Sequence, residues 1–363
     1  MHHQITSQRE SSLFFKSSQS SASAEQVVNV LSGFFQLCPA QVKGWVETSR
    51  KGLTITLPFA CSSRSDELEK RLSEVADKVE LQQKVAFSGQ PKRAHRSIRN
   101  LVAVASGKGG VGKSTSTVNL ALALQAEGAR VGILDADIYG PSIPIMLGNS
   151  QEHPTSSDNK HMQPLEAHGL VANSIGYLVS KDDAAIWRGP MASRALQQLL
   201  NETLWPELDY LLIDLPPGTG DIQLTLAQQI PVSGAVVVTT PQNIALADAQ
   251  KAIAMFNKVN VPVLGVLENM SYHQCEKCGH KEYLFARDGG EHISSHNQVP
   301  LLGHIPLDIH IREYTDSGKA LITERPDSPL SQAYGAAARQ LALELYLHSL
   351  KAPQAIDISM QND

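Results

Sequence analysis

The sequence predicts an α/β fold with a mostly parallel sheet that is covered by helices on both faces, preceded by a small α+β domain. From residue 101 onward, short apolar, β-branched runs alternate with stretches of helical length. That alternation is typical of a parallel sheet buried on both sides. Between residues 24 and 86, two helical patterns flank one alternating strand pattern, which indicates the smaller unit. The 363 residues suffice for a main domain of roughly 250 residues and this addition.

The composition excludes several classes of protein. Apolar residues make up 42% of the chain and charged residues 18%, which excludes an intrinsically disordered chain. The net charge of −5 argues against binding nucleic acid through bulk charge. No apolar run approaches the ~18 residues of a membrane span, and no signal peptide is recognisable, so we expect neither nucleic acid nor membrane as a partner. Four cysteines are too few for a disulfide framework, which indicates a reducing, cytoplasmic setting.

The chain is predicted to consist of five segments. They are a disordered Ser- and Gln-rich tail (1–23), the small α+β domain (24–86), a linker with Gly, Pro and basic residues (87–100), the main domain (101–350) and a polar tail (351–363). In the small domain we expect a helix near Val27–Leu31, a strand over Leu53–Leu57 and a helical period from Glu67 to Val79.

The main domain contains five predicted strands and three predicted helices. The strands are Leu101–Ala105, Arg130–Asp135, Tyr210–Asp214, Ala235–Thr239 and Pro262–Leu267, and the helices are Lys113–Ala126, Leu246–Lys258 and Leu330–Leu350. Strands that alternate with helices in this way predict crossover connections within one sheet.

A glycine-rich segment between the first strand and helix fits the phosphate-binding pattern G-x-x-x-x-G-K-[ST]. Glycines let backbone N–H groups converge on phosphate oxygens, and the helix N-terminus adds partial positive charge. Lys113 is expected to reach the β- and γ-phosphates of ATP, and the Ser114 hydroxyl to hold Mg²⁺. The predicted ATP-binding residues of the loop are Gly107, Lys108, Gly109, Gly110, Val111, Gly112, Lys113, Ser114 and Thr115.

Three aspartates follow the predicted strands, where ligands of parallel sheets bind. Asp214 is interpreted as the carboxylate that holds the Mg²⁺ shell, and either Asp135 or Asp137 as the group that positions the attacking water. The alternative for any one of them is a cap of the following turn.

Lys108 is a second lysine inside the loop, and its charge is suited to stabilising a transition state. In this feature the sequence resembles the deviant-Walker P-loop ATPases. The resemblance implies a homodimer in which Lys108 faces the partner's nucleotide. Alternatively, Lys108 is only an exposed loop residue.

Cys275 and Cys278 form a C-x₂-C pair after an apolar strand, a spacing shared by zinc and iron–sulfur sites. Two thiolates are half of a tetrahedral site, and a redox pair is a further option. The other half has three possible sources: His273 and His280, Cys38 and Cys61, or a second copy of the chain.

The stretch from residue 101 to 350 resembles the Mrp/ApbC-type iron–sulfur cluster carrier ATPases. The matching segments are Val104–Thr115, Asp135–Ser142, Trp187–Met191, Asp214–Asp221, Val238–Gln242 and Glu268–Ser271, which leads to the cysteine pair. The resemblance implies slow ATP hydrolysis coupled to carriage of a [4Fe–4S] cluster, held by Cys275 and Cys278 of both subunits of a homodimer. It also implies an iron–sulfur donor scaffold, apo-protein clients and an adenine contact by Asn269.

Residues 24–86 resemble the small iron–sulfur assembly domain that is often fused to this family. We expect Cys61 to be a buried structural thiol rather than a cluster or transfer ligand, and Cys38 to be structural as well. Two further functions stay open. One is a MinD/ParA-like spatial-organising ATPase with the last helix as a membrane anchor, and the other is an ATPase with a structural zinc site of Cys275, Cys278, His273 and His280.

Overall fold

The structure is a computed structural model that describes residues 24–49, 52–76, 78–88, 97–178 and 189–351. The chain separates into two compact units, Met1–Val85 and Ala86–Asp363. The predicted tail over 1–23, residues 352–363 of the second tail, and most of the predicted linker (89–96) lie outside the described residues. Trp187 and Arg188 of the family segment also lie outside them.

The first unit is a three-stranded sheet with helices. Its elements are α1 (24–35), α2 (Pro39–Val42), β1 (Val46–Ser49), β2 (Gly52–Leu57), α3 (Ser65–Ser73) and β3 (Val79–Gln83). Strand β2 is central, antiparallel to β1 and parallel to β3. Leu53, Ile55 and Leu57 of β2 are buried, as the alternating pattern predicts.

The helical period predicted from Glu67 to Val79 is wrong in its second half. Helix α3 ends at Ser73, and Val79 opens β3. Val79 lies opposite Leu53 in parallel register, and the amide of Leu53 donates to the carbonyl of Lys78 at 3.0 Å. Pairing with β2 supplies these backbone hydrogen bonds, so the tertiary partner overrides the local period.

The second unit contains the large sheet and its covering helices. Its strands are β4 (Ile98–Ala105), β5 (Val131–Asp135), β6 (Leu165–Ala167), β7 (Leu170–Ser174), β8 (Leu208–Asp214), β9 (Gly234–Thr239), β10 (Val263–Glu268), β11 (His273–Gln274), β12 (Lys281–Glu282) and β13 (Leu301–His304). Its helices are α4 (Lys113–Ala126), α5 (Ile143–Met146), α6 (Gly189–Glu202), α7 (Asp221–Gln229), α8 (Asn243–Lys258), α9 (Gly289–Asn297), α10 (Ile309–Asp316), α11 (Leu321–Glu324) and α12 (Pro329–Lys351).

Eight strands form the large sheet in the order β13-β10-β9-β4-β8-β5-β7-β6. Neighbours pair in parallel except β6, which runs antiparallel to β7 at one edge. Every residue of β8 and of β9 is buried, which requires cover on both faces. The predicted α/β class with a mostly parallel sheet and helices on both faces is confirmed. The carboxyl ends of β4, β5, β8 and β10 therefore meet at one edge.

Predicted and observed boundaries differ most at β4. The strand begins at Ile98 rather than Leu101, so the last residues of the predicted linker belong to the sheet. Asn100 explains the difference, because its buried side-chain amide donates to the carbonyls of Ala86 and Asp209 at 3.0 Å each. A polar residue that is satisfied in this way is compatible with a central strand, although it interrupts the apolar pattern.

Helix α12 packs its apolar side into the core of the second unit. Leu330, Tyr334, Leu341 and Leu345 are all buried. These side chains are therefore not available as the membrane-anchoring face that the spatial-organiser alternative requires. Within the described part of the chain, no helix combines the length and the apolar character that crossing a membrane demands.

Candidate functional site

The glycine-rich loop connects β4 to α4 and adopts a backbone that only glycine takes easily at two positions. Gly110 and Gly112 have φ of +82° and +81°, and Gly112 caps the N-terminus of α4. At Gly107 the backbone of Asp248 in α8 lies so close that an added Cβ would collide with it. The loop is thus held between two helices with its amides at the start of α4, the arrangement that binds phosphate.

Asp214 is the centre of a buried polar cluster beneath the loop. Its Oδ2 atom lies 2.7 Å from Nζ of Lys113 and accepts a hydrogen bond from the Ser114 hydroxyl at 2.6 Å. Its Oδ1 atom accepts a hydrogen bond from the Thr117 hydroxyl at 2.7 Å. Asp214 and Lys113 are both buried, so each charge depends on the other for compensation. The structure therefore brings together Lys113, Ser114 and Asp214, as the sequence predicts.

Thr117 was not predicted from the sequence. It follows Ser114 by three residues and Lys113 by four on α4, so all three side chains share one helical face. Because Ser114 and Lys113 point at the strand-end aspartate, this spacing is the signal that could have identified Thr117.

Asp135 and Asp137 occupy different environments after β5. Asp135 is fully buried and accepts hydrogen bonds from the amides of Asp137 and Ile143 and from the hydroxyl of Ser174, at 2.9–3.2 Å. Burial, with the nearby charge of Asp214 as a second cause, raises the pKa of Asp135 to about 7. These hydrogen bonds connect the Asp135 carboxyl group to the segment that follows β5 and to the end of β7.

Asp137 lies nearer to the phosphate loop. Its Oδ2 atom is 4.0 Å from Nζ of Lys113, and its side chain is 13% exposed. Burial raises the pKa of Asp137 above its usual value, an effect that the charge of Lys113 opposes. Of the two candidates for positioning water, Asp137 is therefore the one beside the lysine.

The remaining loop residues surround this cluster. Lys108 is half-buried, and its backbone carbonyl accepts a hydrogen bond from the Ser106 hydroxyl at 2.8 Å. Among the described residues, its ammonium makes no ion pair. Val111 is buried, Gly109 and Gly110 are exposed, and Thr115 is half-buried with its carbonyl bonded to the Asn119 amide at 2.9 Å.

Asn269 lies behind the loop. Its side-chain Nδ2 donates to the carbonyl of Val111 at 2.9 Å, and its backbone amide donates to Thr239 at the end of β9. The residue is buried, and its amide nitrogen would collide with a Cβ on Gly112. The side chain of Asn269 thus supports the phosphate loop through its hydrogen bond to Val111.

Cys275 and Cys278 lie in the turn of a short hairpin formed by β11 and β12. The amide of Cys275 donates to His280 at 2.9 Å, and the amide of Gly279, with φ +72°, donates to Cys275 at 2.8 Å. Cys278 is exposed and Cys275 partly so. Hydrogen bonds from the backbone amides of Cys278 and Lys277 lower the pKa of the Cys275 thiol. The turn therefore favours the thiolate, the form that binds metal.

No third ligand completes a site with this pair within the part of one chain that the structure describes. The only group of three or more His, Cys, Asp or Glu ligand atoms within 4.8 Å of one another there is Glu268, Glu291 and His304. His273 directs Nδ1 to the carbonyl of Leu307 at 3.3 Å. The zinc set that includes His273 and His280 is therefore not assembled around Cys275 and Cys278.

The two other cysteines belong to the first unit. Cys61 is buried, and its thiol donates to the carbonyl of Phe59 at 3.5 Å, as expected of a structural thiol. Cys38 is exposed, unlike Cys61, and lies at the N-cap of α2, where its amide donates to Oε1 of Gln41 at 2.9 Å; its structural role stays a prediction.

The loop, its paired lysine and aspartate and the parallel sheet define a P-loop NTPase. Residues 97–342 match the family model described as ParA: NUBPL iron-transfer P-loop NTPase. The iron-sulfur cluster carrier protein of Haemophilus influenzae is 54% identical over 314 residues, which cover 84% of this chain and 85% of that protein. The protein of that name from Escherichia coli K12 is 61% identical over 249 residues, which cover 69% of this chain and 68% of that protein.

A solved structure agrees with these matches. The nucleotide-binding protein of Archaeoglobus fulgidus, in complex with ADP, is 37% identical with a TM-score of 0.58, covering 66% of this chain and 93% of that protein. The chain belongs to the ParA/NUBPL iron-transfer family of P-loop NTPases, which includes proteins named iron–sulfur cluster carriers. The family resemblance stated from the sequence is confirmed.

Proposed function

We propose that this protein binds and slowly hydrolyses ATP and carries a [4Fe–4S] cluster, which it receives from a donor scaffold and passes to apo-proteins. Two copies of the chain hold the cluster between them through Cys275 and Cys278 of each. The observation that carries the proposal is the cysteine turn: two accessible thiols, one of which has a lowered pKa, with no third ligand among the described residues of the same chain. A twofold interface completes such a site with four equivalent ligands.

The nucleotide chemistry is assigned to the cluster around Asp214. Ser114 and Asp214 offer oxygen atoms, the donors that Mg²⁺ prefers, and their position beneath the loop fits this ion. When bound, Mg²⁺ neutralises charge on the phosphates. In the proposal, Lys113 exchanges its contact with Asp214 for the β- and γ-phosphate oxygens, and Asp137 orients the attacking water.

The remaining residues receive supporting roles in the proposal. Asp135 anchors the segment that carries Asp137, since three hydrogen-bond donors converge on its carboxyl group. Lys108 faces the second copy of the chain and stabilises charge on the nucleotide bound there. Its ammonium is available for this role because it makes no ion pair among the described residues. Asn269 contacts adenine through its amide oxygen, because its nitrogen is bonded to Val111.

The experiment that tests the proposal is anaerobic reconstitution with iron and sulfide, followed by measurement of both elements and of the oligomeric state. We expect ~2 iron atoms per chain in a dimer, as a [4Fe–4S] cluster shared by two chains requires. Cys275→Ala should lose the iron and still bind ATP. Cys38→Ala is the matched control, since Cys38 is also exposed, and it should keep the iron. Full iron content in Cys275→Ala would refute the assignment of the cysteine pair.

A further inference from the structure

One short segment connects the phosphate loop to the cysteine hairpin. Residues 268–272, which we call the connecting segment, leave the end of β10 and lead into β11. They run beside residues 304–307 and exchange backbone hydrogen bonds with them. These bonds are Ile305 to Glu268 at 2.8 Å, Ser271 to Ile305 at 2.9 Å and Leu307 to Tyr272 at 2.7 Å.

One side of the connecting segment contacts the phosphate loop. Asn269 donates to the carbonyl of Val111, as described above. The terminal methyl of Met270 lies 3.9 Å from the position that a Cβ on Gly112 would occupy. Met270 has φ of +55°, a conformation that is unfavourable for a residue with a side chain and persists only where the surroundings enforce it. A displacement of the loop therefore acts directly on Asn269 and Met270.

The other side is held by a hydrogen-bond network that runs from buried Glu268 and Ser271 to half-buried His304 and partly exposed Glu291. The Ser271 hydroxyl donates to Oε1 of Glu268 at 2.5 Å, and Nδ1 of His304 lies 3.0 Å from the same oxygen. Oε2 of Glu268 accepts from the amide of Gly290 at 2.5 Å, and Nε2 of His304 lies 3.0 Å from Glu291. Glu268 and Ser271 are buried. The network thus binds the connecting segment to β13 and α9.

We propose that Ser271 and His304 are positioning residues for the cysteine hairpin. These two residues hold the connecting segment to β13. When nucleotide shifts the Val111 carbonyl, the restrained segment passes this shift on to the turn that carries Cys275 and Cys278. Without the network, the segment absorbs that shift through its own backbone. The inference rests on the proposed function, since it assumes that the loop binds nucleotide and that the turn holds the cluster. Coupling of two sites requires an element whose arrangement both ligands bias, and the connecting segment touches both.

The test is hydrogen exchange of the full chain with and without Mg-ADP, read on peptides that cover residues 272–283. In the unchanged protein we expect Mg-ADP to alter exchange at the amides of Cys275 and Gly279 by about fivefold, the lower range of allosteric coupling. Ser271→Ala and His304→Gln should each reduce this response below about twofold. Both variants should bind Mg-ADP within about twofold of the original affinity by calorimetry, because the hydrogen bonds described above for these two side chains go to Glu268 and Glu291 and not to the phosphate loop.

Ser328→Ala is the matched control. It removes a serine hydroxyl with a hydrogen bond of 2.9 Å at the start of α12, away from the connecting segment, and should leave the response unchanged. If Mg-ADP leaves the hydrogen exchange of the hairpin unchanged in the original protein, the inference is overturned. A full response to Mg-ADP in Ser271→Ala also overturns it. Neither result depends on iron, so the cluster assignment stands or falls separately on the iron content of Cys275→Ala.

Discussion

Thr117 donates its hydroxyl to Oδ1 of Asp214 at 2.7 Å, from a position three residues beyond the Ser114 hydroxyl that bonds to Oδ2. The buried carboxylate is thus held from both oxygens by one helical face. A carboxylate that is fixed in this way presents a constant orientation to the phosphate loop, which is what a site for a divalent cation and a triphosphate requires.

Thr117→Val is predicted to weaken this site. The variant keeps the shape of the side chain and removes the donor, so a buried carboxylate loses one hydrogen bond at a cost of about 1–3 kcal/mol in unfolding free energy. Mg²⁺-dependent ATP hydrolysis should fall as well. Denaturant unfolding and a hydrolysis assay measure the two effects. Thr117→Ser, which retains the hydroxyl, is the control and should keep hydrolysis near the original rate; equal losses in both variants would contradict the role of this hydrogen bond.

Lys113 and Lys108 are predicted to differ in what their removal does to stability. Lys113→Gln leaves Asp214 buried without its cation, which costs about 3–5 kcal/mol, and also abolishes ATP binding. Lys108→Gln removes a charge that is unpaired among the described residues, so the melting temperature of this variant should equal that of the unchanged protein. Its hydrolysis rate should nevertheless fall by about 10²-fold or more. Calorimetric unfolding and turnover measurements on both variants decide this, and a Lys108→Gln enzyme with the original rate would remove Lys108 from the mechanism.

Gly107→Ala is predicted to disturb the packing of the phosphate loop against α8. The new Cβ would overlap the backbone of Asp248, which cannot rotate away, and the resulting shift costs about 1–3 kcal/mol of stability. ATP affinity should fall because the loop moves with it. Gly140→Ala provides the comparison, since no heavy atom lies within 4 Å of its added Cβ. If calorimetry shows the same stability and affinity for both variants, the close contact is unimportant.

His304 is predicted to make stability depend on pH. The hydrogen bond to Glu268, with a further contribution from the charge of Glu291, raises the pKa of His304. An imidazolium with a raised pKa contributes its stabilisation fully below the ordinary histidine value of about 6.5, and the contribution is lost as the pH rises through the raised pKa.

The variant His304→Gln should therefore lose more stability at pH 6 than at pH 9, relative to the unchanged protein. Denaturant unfolding of both proteins at the two pH values measures the difference. A stability loss that is the same at both pH values would show that His304 acts through its shape and not through its charge.

Some residues of the nucleotide site could be predicted from the sequence, and the environments of others could not. The loop, Lys113, Ser114 and Asp214 were predictable, because a phosphate loop is one continuous segment and a strand-end aspartate follows its own apolar run. The different environments of Asp135 and Asp137 were not predictable, since both residues follow the same strand and differ only in what surrounds them. Burial among three donors distinguishes Asp135, and one of those donors, the Ser174 hydroxyl, comes from a strand 39 residues further along the chain.

The amino-acid sequence by itself determined the parallel α/β class, the phosphate loop and the close spacing of Cys275 and Cys278, because periodicity, glycine placement and short spacings are local properties of the chain. Only the tertiary structure decided that Asn269 supports Val111, 158 positions earlier, and that His304 joins Glu268. Such contacts depend on strand order, which places β10 between β9 and β13 and which no local pattern encodes. The same reason explains why Val79 became a strand residue, since its partner Leu53 comes from another part of the chain.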